Sequence, residues 1–462
     1  MNTAYPDLDP DFDMYSDMYF DLKKWLEHIQ NQHWRSIDLT LDRISRVWNN
    51  LEGECANFTL VVAGTNGKGS CVSMLDGVFQ QSGKRTGSYT SPHLVRFNER
   101  IKIDGAEATD EELCQTFARI EQARAGIPLT YFEFGTLAAL LVFQQHKVDI
   151  TILEVGMGGR LDAVNMVDND LVLMTSIGVD HEQWLGSDRE SIAAEKAGVI
   201  KREGIVVCSD PNIPDSVLAI SEQQNATVIA AERDYSIEQI ATETENGGRL
   251  RWKSSHAEIP QDWRCIRSLV APFNGNHQIA NLGGVVAALA LTSGKTGVTV
   301  ADLTQGLSRA RLTARCQVMA DRSNHCPEVI VDVAHNRDSA IELARFLDGR
   351  ECAGKTYAVI GVLADKALDQ IIKPMMAQVD YWFLASLSGA RGQTGEQLAD
   401  QFKQLVKRPA KHPTKHPKWV VRRNPVDAYL AAMEQAKAED RVVIFGSFYT
   451  VGDIINHLEQ TN

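Results

Sequence analysis

Apolar positions along this chain follow two alternating periods. Phe58–Ala63 (FTLVVA) is a short, β-branched apolar run, the pattern of a strand buried on both faces. After a glycine-rich loop, Cys71–Gln81 sets Met74, Leu75, Val78 and Phe79 at helical spacing, and Gly83 marks a helix stop. Thr109-x-x-Glu112 is a capping-box pattern that starts another helix. Asp149–Val155, Leu171–Val179 and Gly204–Cys208 read as strands, and Glu133–His146 as a buried helix. Strands alternating with helices predict an α/β fold with a mostly parallel sheet.

The alternation restarts late in the chain. Val329–Val333, Thr356–Val362, Tyr381–Ala385 and Arg441–Phe445 read as strands, and Ser339–Leu347 and Ala367–Val379 as helices. This predicts a second, smaller α/β domain, with the junction near Arg309–Gln317 and the chain divided into residues 1–310 and 311–462. The run Lys407–Arg423 is basic and proline-rich; it reads as an exposed loop before a strand, the sharper alternative being an anion-binding patch.

Composition narrows the class. With 462 residues, 44% apolar and 23% charged, the chain is long enough for two cores and ordinary for a globular protein. A net charge of −13 argues against a nucleic-acid partner. The eight cysteines include no CxxC pair, so they read as reduced, mostly buried thiols of a cytoplasmic protein. The acidic N-terminal segment has no signal-peptide pattern, and no apolar run approaches the ~20 residues of a membrane helix.

The chemistry starts at Gly64-Thr65-Asn66-Gly67-Lys68-Gly69-Ser70, which joins a predicted strand to a predicted helix. In that context backbone N–H groups and a helix N-terminus hold phosphates, glycine permits close approach, and Lys68 adds a positive charge. The loop departs from GxxxxGK[ST], with Val62 at the first glycine's place and Gly69 between Lys68 and Ser70. The alternative is a tight glycine turn with a solvent-facing lysine. A second cluster, Gly156-Met157-Gly158-Gly159-Arg160, approximates the dinucleotide fingerprint but has Leu161 at the third glycine, which leaves a nicotinamide-dependent oxidoreductase as a rival reading. Glu154 ends an apolar strand, where it can reach a magnesium ion beside phosphates or simply be a charged strand terminus. His181 ends another, and by spacing alone it is a structural histidine.

GTNGKGS, Ser91-Pro92-His93-Leu94 with Phe97, Glu99 and Arg100, LTYFEFGTLAA, ILEVGMGGRLDAVN, TSIGVDH and AAEKAG follow one another along the chain. So do Gly275–Asn281, Arg315–Val318, VDVAHN, GVLADK and GSFYTVG. This series resembles the Mur-ligase superfamily and, within it, the bacterial dihydrofolate synthase/folylpolyglutamate synthase family. It implies an N-terminal P-loop ATPase domain, a C-terminal Rossmann-like domain, and an ATP-dependent amide ligase working through an acyl phosphate. The implied substrates are dihydropteroate, reduced folates and L-glutamate. ATP and two magnesium ions are implied cofactors, and the implied protein is a cytoplasmic monomer.

The resemblance also implies roles. Asn66, Gly67, Lys68 and Gly69 would cradle ATP, with Asn281, Arg315 and Asp332 contributing further contacts. Ser91, Glu154, His181 and a carbamate on Lys196 would hold metal; Lys68, Lys196 and His181 would form the catalytic set. Ser36–Arg43, including Ile37 and Asp38, resembles a pterin-contacting stretch, as do Thr130, Tyr131, Phe132, Glu133, Leu161, Asp162 and Ala163. His335 and Asn336 would shape the glutamate end. The chain departs from the family pattern at Thr313-Ala314, where Pro-Gly is usual, at Arg337 for proline and at Ala367 for an acid. Two alternatives stay open beside it, a monofunctional folylpolyglutamate synthase and a non-catalytic nucleotide-binding regulator.

Overall fold

The computed structural model describes residues 21–33, 38–240, 249–319, 326–389, 391–407 and 418–461. Ser36 and Ile37, the N-terminal segment and most of the basic run after Lys407 lie outside the described residues.

Three sheets organise the chain. The first comprises β1 (Phe58–Ala63), β2 (Thr86–Tyr89), β3 (Ile101–Ile103), β4 (Ala106–Glu107), β5 (Ile150–Glu154), β6 (Leu171–Met174), β7 (Ile205–Cys208) and β8 (Thr227–Ala230). Its order is β4-β3-β2-β5-β1-β6-β7-β8, parallel from β2 to β8 with β3 and β4 antiparallel at one edge. All of β1 is buried, as an apolar run without polar alternation requires. Leu60 and Val62 face the core shared with helices Lys68–Gln81 and His277–Thr296, while Val61 and Ala63 face the core shared with Tyr131–His146.

Beside it lies a small antiparallel sheet of β9 (Tyr235–Ile240), β10 (Arg249–Ser254) and β11 (Cys265–Leu269). The third sheet contains β12 (Gln317–Met319), β13 (Glu328–Val331), β14 (Thr356–Ile360), β15 (Tyr381–Ala385), β16 (Lys418–Arg422) and β17 (Arg441–Phe445). Its order is β12-β13-β17-β14-β15-β16, all parallel except β12. Successive residues of β14 again face opposite cores, Ala358 and Ile360 against Tyr357 and Val359. The chain is thus α/β, with a large, mostly parallel N-terminal sheet and a separate smaller C-terminal α/β unit.

The apolar patterns located most of these elements but overran their ends. The expected strand Leu171–Val179 stops at Met174, because Ser176 pairs instead with Asn66 of the glycine loop and its carbonyl accepts the Thr65 N–H. The strand expected to reach Val362 stops at Ile360, and the helix expected over 367–379 spans Leu368–Met375. Thr109 does cap Asp110–Arg124, with Glu112 completing the box. No helix among the described residues is long and apolar enough to cross a membrane.

Strand direction locates the working surface. The carboxyl ends of β1, β5 and β6 lead into Gly64–Lys68, Val155–Asp162 and Thr175–His181. Those of β13, β14 and β17 lead into Asp332–Asn336, Gly361–Lys366 and Gly446–Tyr449. In open parallel sheets such ends form the ligand crevice, and here the two crevices face each other.

Candidate active site

A cavity of about 1100 Å³ lies between the two sheets' carboxyl ends. Its wall contains Asn66, Gly67, Lys68, Gly69, Ser91, Glu154, His181 and Lys196 from the first unit, with Asn281 from helix His277–Thr296. Asp38, Thr130, Tyr131, Phe132, Glu133, Leu161, Asp162 and Ala163 line a second flank, and Arg315, Asp332 and His335 the opposite face. Of the residues singled out in the sequence, Ile37 is outside the described residues.

The glycine loop has the backbone that its sequence demands. Gly67 sits at φ +92°, immediately before helix Lys68–Gln81, and a Cβ there would lie 2.5 Å from Asn281 Oδ1. Lys68 Nζ donates to the Gly64 and Thr65 carbonyls at 3.2 and 3.3 Å. Lys196 Nζ, buried on helix Arg189–Ala197, donates to the same Gly64 carbonyl at 2.9 Å. Two amine groups thus share one carbonyl, and the Asp180 and Asp162 carboxylates act on Lys196 from nearby. Burial, with Lys68 beside it, pulls the Lys196 pKa down to about 7.

Glu154 ends β5 fully enclosed, and Ser91 N–H donates to its Oε2 at 3.1 Å. Burial raises its pKa against the pull of Lys68, the Ser91 amide and Arg315. Burial also lowers His181 to about 4, with Lys366 adding to the effect, so its imidazole is neutral at physiological pH. Among the described residues no three His, Cys, Asp or Glu side chains cluster as a metal site. Glu154, Ser91 and the neutral His181 imidazole all line the same cavity as Lys196.

On the second flank, some polar groups already have structural work. Thr130 Oγ1 and Glu133 form the capping box of helix Tyr131–His146, and Glu133 also pairs with Arg43 at 3.0 Å. Arg43 reaches Asp38 at 3.0 Å, which ties the Asp38 segment to that helix. Asp162 accepts the Met157 and Val164 amides at 2.8 and 3.1 Å, and burial raises its pKa to about 6. Phe132 packs over Gly156, whose missing side chain leaves the ring its place.

The opposite face is held by Asp332, whose carboxylate accepts the Cys316 and Ala334 amides at 2.7 Å each. Arg315 lies 5.5 Å from the Phe448 ring and comes near Gly69. Asn336 and Asn66 exchange hydrogen bonds across the cleft at 3.0 and 3.2 Å. Asp180 joins the two sides more strongly, through Lys366, His335 and Asn336. Burial opposes its ionisation, but the His335 hydrogen bond and Lys366 hold it well below the ordinary carboxylate range.

The residue reading assigned no role to several lining residues: Arg100, Asp180, Arg189, Asp210, Lys366 and Tyr449. Arg189 pairs with Asp210 at 2.9 Å, and Arg100 Nε donates to His93 Nδ1 at 2.8 Å. Lys366, Tyr449, Arg100 and Asp180 do fall inside motifs of the resemblance, so motif membership was the available signal; Arg189–Asp210 carries none.

Both α/β parts of the chain match the Mur ligase class. Residues 62–290 match the Mur ligase middle domain and residues 314–448 the Mur ligase glutamate ligase domain. The dihydrofolate synthase/folylpolyglutamate synthase of Escherichia coli is 35% identical over 95% of this chain and 96% of its own. The chain belongs to the dihydrofolate synthase/folylpolyglutamate synthase family. Escherichia coli FolC in complex with DHPP and ADP superposes with a TM-score of 0.84 at 34% identity, covering 95% of this chain and 98% of that one. A bifunctional folylpolyglutamate synthase/dihydrofolate synthase with Mn, AMPPNP and L-glutamate bound gives 0.81 at 35% identity, with the same coverages.

Proposed function

We propose that this protein is an ATP-dependent ligase that adds L-glutamate to dihydropteroate and to reduced folates. The observation that carries the reading is Lys68 over the Gly64 and Thr65 carbonyls at the N-terminus of its helix, with Arg315 and His335 on the opposite wall of the same cavity. It supports placing polyphosphate at the loop and an anionic amino acid on the opposite face.

The chemistry follows from the charges. A substrate carboxylate oxygen attacks the γ-phosphorus of ATP, and ADP leaves. The amino group of glutamate then attacks the acyl carbon, the phosphate leaves with the C–O bond electrons, and the amine's proton is lost. Lys68 neutralises charge on the transferring phosphoryl, while Asn66, Gly67 and Gly69 offer backbone room and Asn281, Arg315 and Asp332 complete the nucleotide's surroundings. Two divalent cations, for which Ser91, Glu154, His181 and carbamylated Lys196 (the last for the second ion) are the ligands, would supply further neutralisation at the phosphates. Carbamate formation needs a free amine: the neutral Lys196 nitrogen adds to CO₂ and releases a proton, and a pKa of about 7 provides that amine at neutral pH. Asp38, Tyr131, Phe132, Leu161 and Ala163 form the pterin flank, and His335 the glutamate side.

We place the division between units at residues 1–310 and 311–462, and take the enzyme as cytoplasmic, in keeping with its free cysteines. An isotope experiment tests the acyl phosphate. Substrate labelled with ¹⁸O in the reacting carboxylate should deliver one ¹⁸O to each inorganic phosphate released. Phosphate that stays unlabelled during product formation would rule the intermediate out.

A further inference from the structure

One carboxylate organises the loop between β2 and β3. Glu99 Oε2 accepts the Leu94 N–H at 2.7 Å, and its Oε1 accepts those of Val95 and Arg96 at 2.7 and 2.6 Å. Three charge-assisted bonds to consecutive amides leave this stretch little freedom. At one end of the loop Ser91 N–H is bonded to Glu154, and Thr90 N–H donates to the Arg100 carbonyl at 2.9 Å. At the other end the Leu94 carbonyl abuts Gly452 on helix Phe448–Thr461; a Cβ at 452 would stand 2.1 Å from that oxygen. Leu94 and Val95 also pack against the C-terminal core that contains Val451 and Ile454. The same helix begins with Phe448 and Tyr449, which line the cavity.

We propose that Glu99 is a positioning residue that stiffens Ser91–Arg96 into a strut between the Ser91–Glu154 corner and helix Phe448–Thr461. The strut sets the two faces of the cleft together, so that phosphate-side and glutamate-side groups take up one spacing. Glu99 itself does not line the cavity. The proposal rests on the ligase reading for its kinetic consequences but not for its structural one.

Hydrogen exchange on the full-length protein is the structural readout. Glu99→Gln replaces one acceptor oxygen with an NH₂ group, and exchange of the 94–96 amides should accelerate on the order of tenfold or more. In ADP-release assays the Mg²⁺ concentration for half activity and the KM for L-glutamate should both rise on the order of tenfold, the usual scale for loss of an outer-shell orienting bond. Gly452→Ala presses on the other end of the strut and should give the same kinetic signature, with the double variant no worse than the poorer single one. Leu94→Ala takes its place in the cycle if Gly452→Ala does not fold. Wild-type exchange at 94–96 in Glu99→Gln, or effects of the two substitutions that multiply, would overturn the strut. A wild-type enzyme without glutamate-dependent ADP release would instead defeat the ligase reading, and the exchange data would still decide the role of Glu99.

Discussion

At the scale of single residues, the informative feature is that Lys68 and Lys196 donate to one carbonyl oxygen. The loop reading made Lys68 legible in the sequence. Lys196 was not legible from spacing, because AAEKAG alone describes a surface helix. Its burial comes from a distant contact: a Cβ on Gly159 would stand 2.6 Å from the Lys196 carbonyl, so the absence of one lets the helix approach. The consequence is measurable in pH. Folded Lys196 titrates at about 7, below the roughly 10.4 of an unfolded lysine, so the unfolded chain binds more protons between those values. This residue's contribution to stability therefore rises with pH across that window and is unfavourable below it. Lys196→Ala should lower turnover by roughly 10²-fold or more, the scale of one lost electrostatic group, while thermal unfolding at pH 6 is unchanged or shifted upward. ADP release and unfolding scans check both, and near-wild-type turnover would remove the carbamate role.

At the scale of elements, apolar runs located the buried strands well because β1, β5 and β14 have no polar alternation to misread. Their ends were less legible, since hydrogen bonds from elsewhere in the fold set them, as Asn66 and Ser176 do beyond β6. The antiparallel β9–β11 sheet went unread although Leu250 and Trp252 alternate as an inward face; the short alternation lies in a polar sequence. The glycine loop was legible as chemistry, but its partner was not, because Asn281 is more than two hundred positions away. Gly67→Ala tests that join. The left-handed backbone and the 2.5 Å approach to Asn281 should cost about 1–2 kcal/mol of stability and raise the KM for ATP at least about tenfold. Denaturant titration and ATP kinetics report the two effects, and neither changing would mean that the loop tolerates a side chain.

At the scale of the whole molecule, the cleft is an assembly of strand ends from two sheets, tied by Asn66 to Asn336 and by Asp180 to Lys366. Repeated strand–helix alternation made both sheets predictable, but not which of their edges face each other. That is why Asp180, the centre of the cross-cleft bonds, received no role from its own sequence neighbourhood. The arrangement sets the glycine loop opposite Arg315 and His335, across a cavity of about 1100 Å³ with an aromatic flank. Sustained ATP turnover should therefore require both a carboxylate substrate, which is phosphorylated and donates the acyl group, and glutamate, which accepts it. The most direct test is a coupled ADP-release assay with L-glutamate, comparing dihydropteroate with tetrahydrofolate. Glutamate-dependent ADP formation is expected with each; formation with tetrahydrofolate but not with dihydropteroate would remove the dihydrofolate-synthase activity, and none with either would contradict the ligase function.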